Sequence, residues 1–406
     1  MKKIDYRILF VLLLPAALLL SCSGVPVTEN IIISNDNEGR HSLSFCKCDF
    51  AEIEQLSIVV EAEDLKLIYR NSPEDRTDYL ISIEWDDNEN QTPFQSEVYK
   101  SNDNLSVILK TRRKPIPTVQ ESTVRIYISD TINIRQIESI SDSSSADLRL
   151  SGLRIDSLNI ETSVGSNYVE LNNCSAERIS INSDYGRSYL LMNRTEISSE
   201  LTMTGNPESS EVPYYDKVAG AVHAEIIESV ISGEINFYSV NGKIEVYSED
   251  SVFFGPISST STRGMHFYDL WDCKIQTDSP ISAVSDSGKI YFKMAQHETN
   301  GNDININLNS RSEEIYFRVW GPLDKYRYDI TTLTWSGGKE FHSYENFTAI
   351  EEGVRYRSNN FSAPLELITV KAETESGRIY TRVVDCYKKL RFCGDYKTMR
   401  PLEPPF

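Results

Sequence analysis

The chain has 406 residues, with 60 aspartates and glutamates against 41 lysines and arginines, for a net charge of −19. A surface this acidic repels phosphate backbones and argues against nucleic-acid partners. The histidines, His41, His223, His266, His297 and His342, are too scattered for a local zinc motif, so neither a metal nor a cofactor is expected.

Residues 1–21 read as an export signal. Lys2, Lys3 and Arg7 precede an apolar run from Ile8 to Leu20. As a helix that run is roughly 20 Å long, short of the ~30 Å hydrocarbon core of a bilayer. It ends in Leu19-Leu20-Ser21-Cys22, which resembles the lipobox of bacterial lipoproteins, with Cys22 as the lipidated residue. The alternative is an ordinary signal peptide with a chance cysteine. Ser23, where an inner-membrane retention signal would carry aspartate, points to the outer membrane. Residues 22–30 are then a lipidated tether.

Residues 31–129 read as a strand-rich N-terminal cap, with runs such as Leu56-Ser57-Ile58-Val59-Val60 and Leu105-Ser106-Val107-Ile108-Leu109 between acidic turns. Residues 130–385 repeat. Each unit places apolar residues seven and usually five positions before an anchor, and again at several of two, four and six positions after it. The anchors are Gly165, Gly186, Gly242, Gly264, Gly288, Gly337 and Gly377, with Ser144 and Glu313 as variants. The 56 residues from Gly186 to Gly242 equal two 21-residue repeats plus an insertion at 206–219. The 40 residues before Gly377 have room for two loosely matched repeats. Period-two alternation around a turn means two short strands per repeat, and such units bury their apolar faces only by stacking. The expected fold is all-β: a single-stranded β-helix, or β-solenoid, right-handed by the crossover rule and capped at its N-terminal edge. Residues 386–406 are a C-terminal segment and an irregular, proline-rich tail.

Export allows oxidation of Cys46, Cys48, Cys174, Cys273, Cys386 and Cys393. Cys46-Lys47-Cys48 and the Cys386/Cys393 segment can bridge within or between themselves. Cys174 and Cys273 share one phase, nine residues after Gly165 and Gly264. Four repeats separate them, roughly 19 Å, so they are expected as buried free thiols.

Leu56 to Val60, Val124-Arg125-Ile126-Tyr127-Ile128 and the repeat from Leu158 to Gly165 together resemble the "putative adhesin" β-strand-repeat families, the head-GIN-domain group among them. The resemblance spans roughly residues 49–385. It implies an exported or membrane-attached β-helical protein and supplies no catalytic residues. Ser144, Glu313 and the 206–219 insertion depart from that pattern.

Three residues after the anchor stand Tyr168, Tyr189, Phe267, Tyr291, Tyr316 and Tyr380, with Asp147, Glu245 and Glu340 breaking the series. If the apolar positions point inward, this one points outward. The rings then either stack to stabilise the body or offer a binding surface for a glycan or an envelope partner. Asp86-Asp87-Asn88-Glu89-Asn90 carries hard oxygen ligands but lacks the glycine and distal glutamate of a calcium loop. No nucleophile elbow, Walker loop, His-Glu-x-x-His or dinucleotide glycine run occurs. The expectation is a non-catalytic, membrane-anchored adhesin-like lipoprotein of the cell envelope. The alternatives are a β-helical carbohydrate-active enzyme or a structural spacer.

Overall fold

The structure, a computed structural model, describes residues 25–26, 32–35, 40–62, 65–86, 94–111, 122–141, 145–205, 220–342, 346–351 and 353–384. The signal, Cys22, the 206–219 insertion, Ser144, Asp87 to Asn90, Cys386, Cys393 and the tail lie outside these residues. The fold is all-β, with long parallel ladders. The only helix among the described residues is the 3-10 turn Glu74–Arg76. The chain divides into two compact units, residues 1–160 and 161–406.

In the first unit, strands Gln55–Ala62 and Leu65–Asn71 form one repeat. Gln55–Ala62 pairs in parallel with Asn104–Thr111 on one side and Asn133–Ser141 on the other. Leu65–Asn71 pairs in parallel with Ser122–Ile128 and Ser145–Ser151. The earliest repeat therefore sits between two later ones. Antiparallel strands surround it: Arg40–Cys46 against Tyr79–Asp86, Tyr79–Asp86 against Ser122–Ile128, and Phe94–Ser101 against Asn104–Thr111. Period-two alternation buries Leu56, Ile58 and Val60 in one strand and Leu67 and Tyr69 in the next. Cys46 and Cys48 form a disulfide.

In the second unit the chain alternates between two sheets, and each strand pairs in parallel with its equivalent one repeat on. One ladder runs Ser175–Ser183, Glu196–Gly205, Glu234–Ser239, Ile257–Ser261, Ile281–Ser285, Ile304–Ser310. The other runs Asn167–Asn172, Arg187–Asn193, Ala221–Ile227, Ile244–Glu249, His266–Trp271, Ile290–Ala295, Ile315–Trp320. Ile181, Phe237 and Leu308, at the expected inward position, are all buried. In three consecutive repeats the two inward columns vary in opposite senses: Phe237 goes with Val246, Ser259 with Tyr268, and Ala283 with Phe292. Large beside small keeps the filling even across these three repeats.

The anchor glycines are required by close approach. A Cβ on Gly264 would lie 2.0 Å from the Gly242 carbonyl oxygen, and one on Gly288 would lie 1.8 Å from that of Gly264. A hydroxyl stands three residues before each of these anchors. Ser285 Oγ accepts from the Gly288 N–H at 2.8 Å and donates to the Gly264 carbonyl at 3.3 Å. Ser183 does the same between Gly186 and Gly165. The opposite corner is left-handed: Asn173, Arg194, Glu228, Asp250 and Asp272, each eight residues after an anchor, have φ of 47–51°. Such a φ is costly for Arg194 and Glu228 and better tolerated by Asn173, Asp250 and Asp272. It aims each N–H at a carbonyl of the next repeat, as in Asp272 to Ala295 at 2.8 Å.

Two sequence expectations need correction at the C-terminal end. The 40 residues between Gly337 and Gly377 do not hold two further repeats. They hold an antiparallel pair, Phe347–Glu351 with Arg355–Ser358. Repeats also do not stack in chain order. Glu366–Thr374 and Ile379–Val384 pair in parallel with Ile304–Ser310 and Ile315–Trp320 on one side, and with Tyr326–Thr334 and Lys339–Phe341 on the other. The last repeat is thus threaded between the two before it. Arg355–Ser358 then pairs antiparallel with Tyr326–Thr334, and Asp329 accepts hydrogen bonds from Arg355 and Arg357 to fasten it.

Candidate functional site: the outer face of the second unit

The second sheet of this unit has an outer face built from alternate residues of each strand. The position three residues after the anchor forms one continuous column in register: Tyr168, Tyr189, His223, Glu245, Phe267, Tyr291, Tyr316, Tyr380, Glu340. All six aromatic residues expected outside lie in it, each half-buried. His223 belongs to the repeat anchored at Gly220, the first described residue after the insertion. Its place could have been found by counting three from Gly220. Tyr380 follows Tyr316 directly, and Glu340 lies beyond Tyr380, because the last repeat is threaded inward.

The rings stack on one another. Tyr168 and Tyr189 are 5.0 Å apart at 8°, Tyr291 and Tyr316 4.7 Å at 3°, and Tyr316 and Tyr380 4.6 Å at 5°. Phe267 is tilted by 39° to Tyr291 at 6.5 Å and takes Lys293 and Lys243 over its face instead. Rings packed this way cover each other's faces, so the column turns edges and hydroxyls outward.

Between the two tyrosine stacks lies a charged cluster. The His223 ring stacks on Tyr189 at 4.6 Å and 7°. Its Nε2 lies 3.0 Å from Glu225 Oε1 and its Nδ1 3.3 Å from Glu245 Oε2. Lys243 bonds the other Glu245 oxygen, and the Tyr189 hydroxyl donates to Glu225 at 2.7 Å. Burial alone would lower the His223 pKa, but the two carboxylates carry it up to about 9. Burial alone would raise Glu245, but His223 and Lys243 bring it down to about 2. Burial and Glu225 both push the Tyr189 hydroxyl up. At neutral pH the cluster is an imidazolium between carboxylates with a protonated tyrosine beside it. Its acids hold their protons, and its carboxylates are engaged in ion pairs.

Two further columns share the face. Five residues after the anchor come Glu170, Leu191, Glu225, Tyr247, Asp269, Lys293, Arg318 and Arg382. Acidic groups occupy one end and cations the other. Seven residues after it, Trp271 and Trp320 stack at 6.0 Å across the small Ala295 between them.

Inside the sheets, His266 is fully buried, with Ser259 Oγ 2.6 Å from Nδ1 and Ser261 Oγ 2.7 Å from Nε2. Burial takes its pKa down to about 3. Cys174 and Cys273 are buried and free, as their shared phase requires, and burial pushes the Cys273 thiol up to about 11. Cys46, Cys48 and Asp49 bring potential metal-ligand atoms together, but both sulfurs are in the disulfide. Among the described residues no helix is long and apolar enough to cross a membrane.

No family model and no curated protein matches the chain. Two solved structures align with it. One is described as a "putative cell adhesion protein" from Clostridium sporogenes, at 10% identity and a TM-score of 0.17, covering 89% of this chain and 100% of that one. The other is a "putative adhesin" from Bacteroides fragilis, at 10% identity and a TM-score of 0.25, covering 88% of this chain and 98% of that one. At these TM-scores neither likeness carries an argument about fold or function.

Proposed function

We propose that the protein is a non-catalytic, adhesin-like lipoprotein of the bacterial envelope. On this reading Cys22 carries the lipid that holds it at the outer membrane. Its body is a right-handed, single-stranded β-solenoid that displays one ordered face to a glycan or an envelope partner. The observation that carries the reading is the outer face of the second unit. Outward side chains are in register from rung to rung there, ~4.8 Å apart, with six of the nine in one column aromatic, which suits recognition of an extended partner better than enclosure of a small substrate. The cluster at His223 is the best candidate for the alternative, a carbohydrate-active enzyme. A general base must be free to take a proton near the working pH, and the carboxylates there are committed to His223 and Lys243.

The test is a glycan array probed with the purified protein, run beside an assay for cleavage of each bound glycan. Binding without cleavage is the expected result. Cleavage that disappears in Glu225→Gln would replace the reading with the enzymatic one, and an empty array together with no binding to isolated envelopes would remove it.

A further inference from the structure

Two cations at one end of the outer face, Arg318 and Arg382, are uncompensated. Lys293, Arg318 and Arg382 occupy consecutive rungs of one column, so Arg318 and Arg382 stand directly opposite each other, ~4.8 Å apart. Like charges in that arrangement destabilise a sheet. Burial and the neighbouring Arg382 both depress the Arg318 pKa. Several other cations in this unit have carboxylate partners: Lys243 with Glu245, Lys289 with Glu314, Arg194 with Glu228 and Arg311 with Glu375. Lys293 itself lies 3.9 Å from Asp269. Arg318 and Arg382 have no carboxylate partner among the described residues; Arg318 instead lies over the Trp320 ring at 5.4 Å. In a chain of net charge −19, two adjacent unpaired guanidiniums on a half-exposed face are a local reversal of sign.

We propose that Arg318 and Arg382 form a site for the acidic sugars of a glycan, with Lys293 and Arg378 at its edges. This rests on the glycan-binding reading above and names the ligand's chemistry. A guanidinium fork takes a planar carboxylate in two parallel hydrogen bonds, and an anion placed between two such forks removes their repulsion. Beside them stand the Tyr316 and Tyr380 hydroxyls, of which Tyr316 donates to Glu314 at 3.4 Å and can also accept from a sugar hydroxyl. Tyr316 is pushed up to about 12 by burial and nearby Glu314, so it remains a donor. Arg378 Nη1 lies 3.5 Å from the Tyr380 hydroxyl and adds a cation at the rim. A single-stranded nucleic acid is disfavoured, because base stacking needs open ring faces and these rings cover one another. Asp269 closes the column on the other side of Lys293, so the footprint spans only two or three acidic sugars.

The experiment titrates the full-length protein in detergent with trigalacturonate, maltotriose and an oligothymidylate at low salt, and repeats this with Arg318→Gln/Arg382→Gln. The site predicts that trigalacturonate binds and weakens as salt is raised, that maltotriose does not bind, and that the double variant loses at least tenfold in affinity. The double variant should keep or raise the melting temperature, since a repulsion is gone; a purely structural pair would lower it. Equal trigalacturonate binding by the double variant, no trigalacturonate binding by the wild type, or tighter binding of the oligothymidylate overturns the proposal. Unchanged binding of the double variant to isolated envelopes, with no trigalacturonate binding by either protein, rejects this site and leaves the adhesin reading standing.

Discussion

Tyr291 and Tyr316, 25 residues apart in sequence, lie in register on adjacent strands with their rings 4.7 Å apart and parallel to within 3°. Each covers a face of the other, so the pair contributes to stability whatever else its edges do. Tyr291→Ala and Tyr316→Ala should each lower the unfolding midpoint. Their double-mutant cycle should show a coupling of about 0.5–1.5 kcal/mol. Chemical denaturation of the four proteins measures it, and strict additivity would mean that the stack is energetically idle.

The charged cluster predicts a pH dependence with two limbs. His223 titrates at about 9 in the folded chain against about 6.5 unfolded. Its contribution is therefore complete below about 6.5 and is lost as the pH rises towards 9. Glu245 titrates at about 2 folded against 4.5 unfolded, so its contribution is present above about 4.5 and is lost as the pH falls towards 2. Melting temperatures from pH 5 to 10 should fall on the alkaline side, and His223→Gln should flatten that fall.

His266 works in the opposite direction. The unfolded chain binds its proton near 6.5, while burial holds the folded value at about 3. Stability from this residue is complete above 6.5 and falls away as the pH drops from there to 3. In a melting series extended down to pH 3, its mutation should flatten the acid limb while leaving the alkaline limb intact.

Gly288→Ala places a methyl group 1.8 Å from the Gly264 carbonyl oxygen, which is backbone and cannot swing aside. The two repeats must part, at a cost on the order of 1–3 kcal/mol. Gly152→Ala is the contrast: nothing lies within 4 Å of the new atom, and only the positive φ of 68° resists it. Urea unfolding should rank Gly288→Ala as the more damaging change.

Phe237 fills a buried position in its repeat, in register with Met203 and the small Ser259. Phe237→Ala should cost about 3–5 kcal/mol by lost burial and a residual cavity. A loss below about 1 kcal/mol in equilibrium unfolding would mean that the neighbouring repeats collapse into the space.

Cys22→Ala should shift the protein from the membrane pellet to the soluble fraction without changing its melting temperature. Stable anchoring needs more than one acyl chain, which a lipidated N-terminal cysteine supplies. Retention in the pellet after a high-salt wash would assign the anchoring to something other than lipid.

Much of the second unit is legible in the sequence because its strands obey local rules. Alternation sends Ile181, Phe237 and Leu308 inward and Tyr168, Tyr189 and Tyr291 outward, and glycine marks the corners where backbones come too close for a Cβ. A serine or threonine three residues before the anchor is nearly as regular, with Lys217 before Gly220 as the exception, although the hydrogen bonds of Ser183, Ser285 and Ser310 reach into the preceding repeat. Tertiary structure alone decided which repeat lies against which. Backbone ladders are blind to chain order, so any repeat of the right period can pair with any other. Glu366–Val384 slips between Ile304–Trp320 and Tyr326–Phe341, and Tyr380 comes to rest on Tyr316, 64 residues away. The left-handed corners at Arg194 and Glu228 have the same origin. Their residue types disfavour that conformation, and only the hydrogen bonds from their N–H groups to the next repeat hold it.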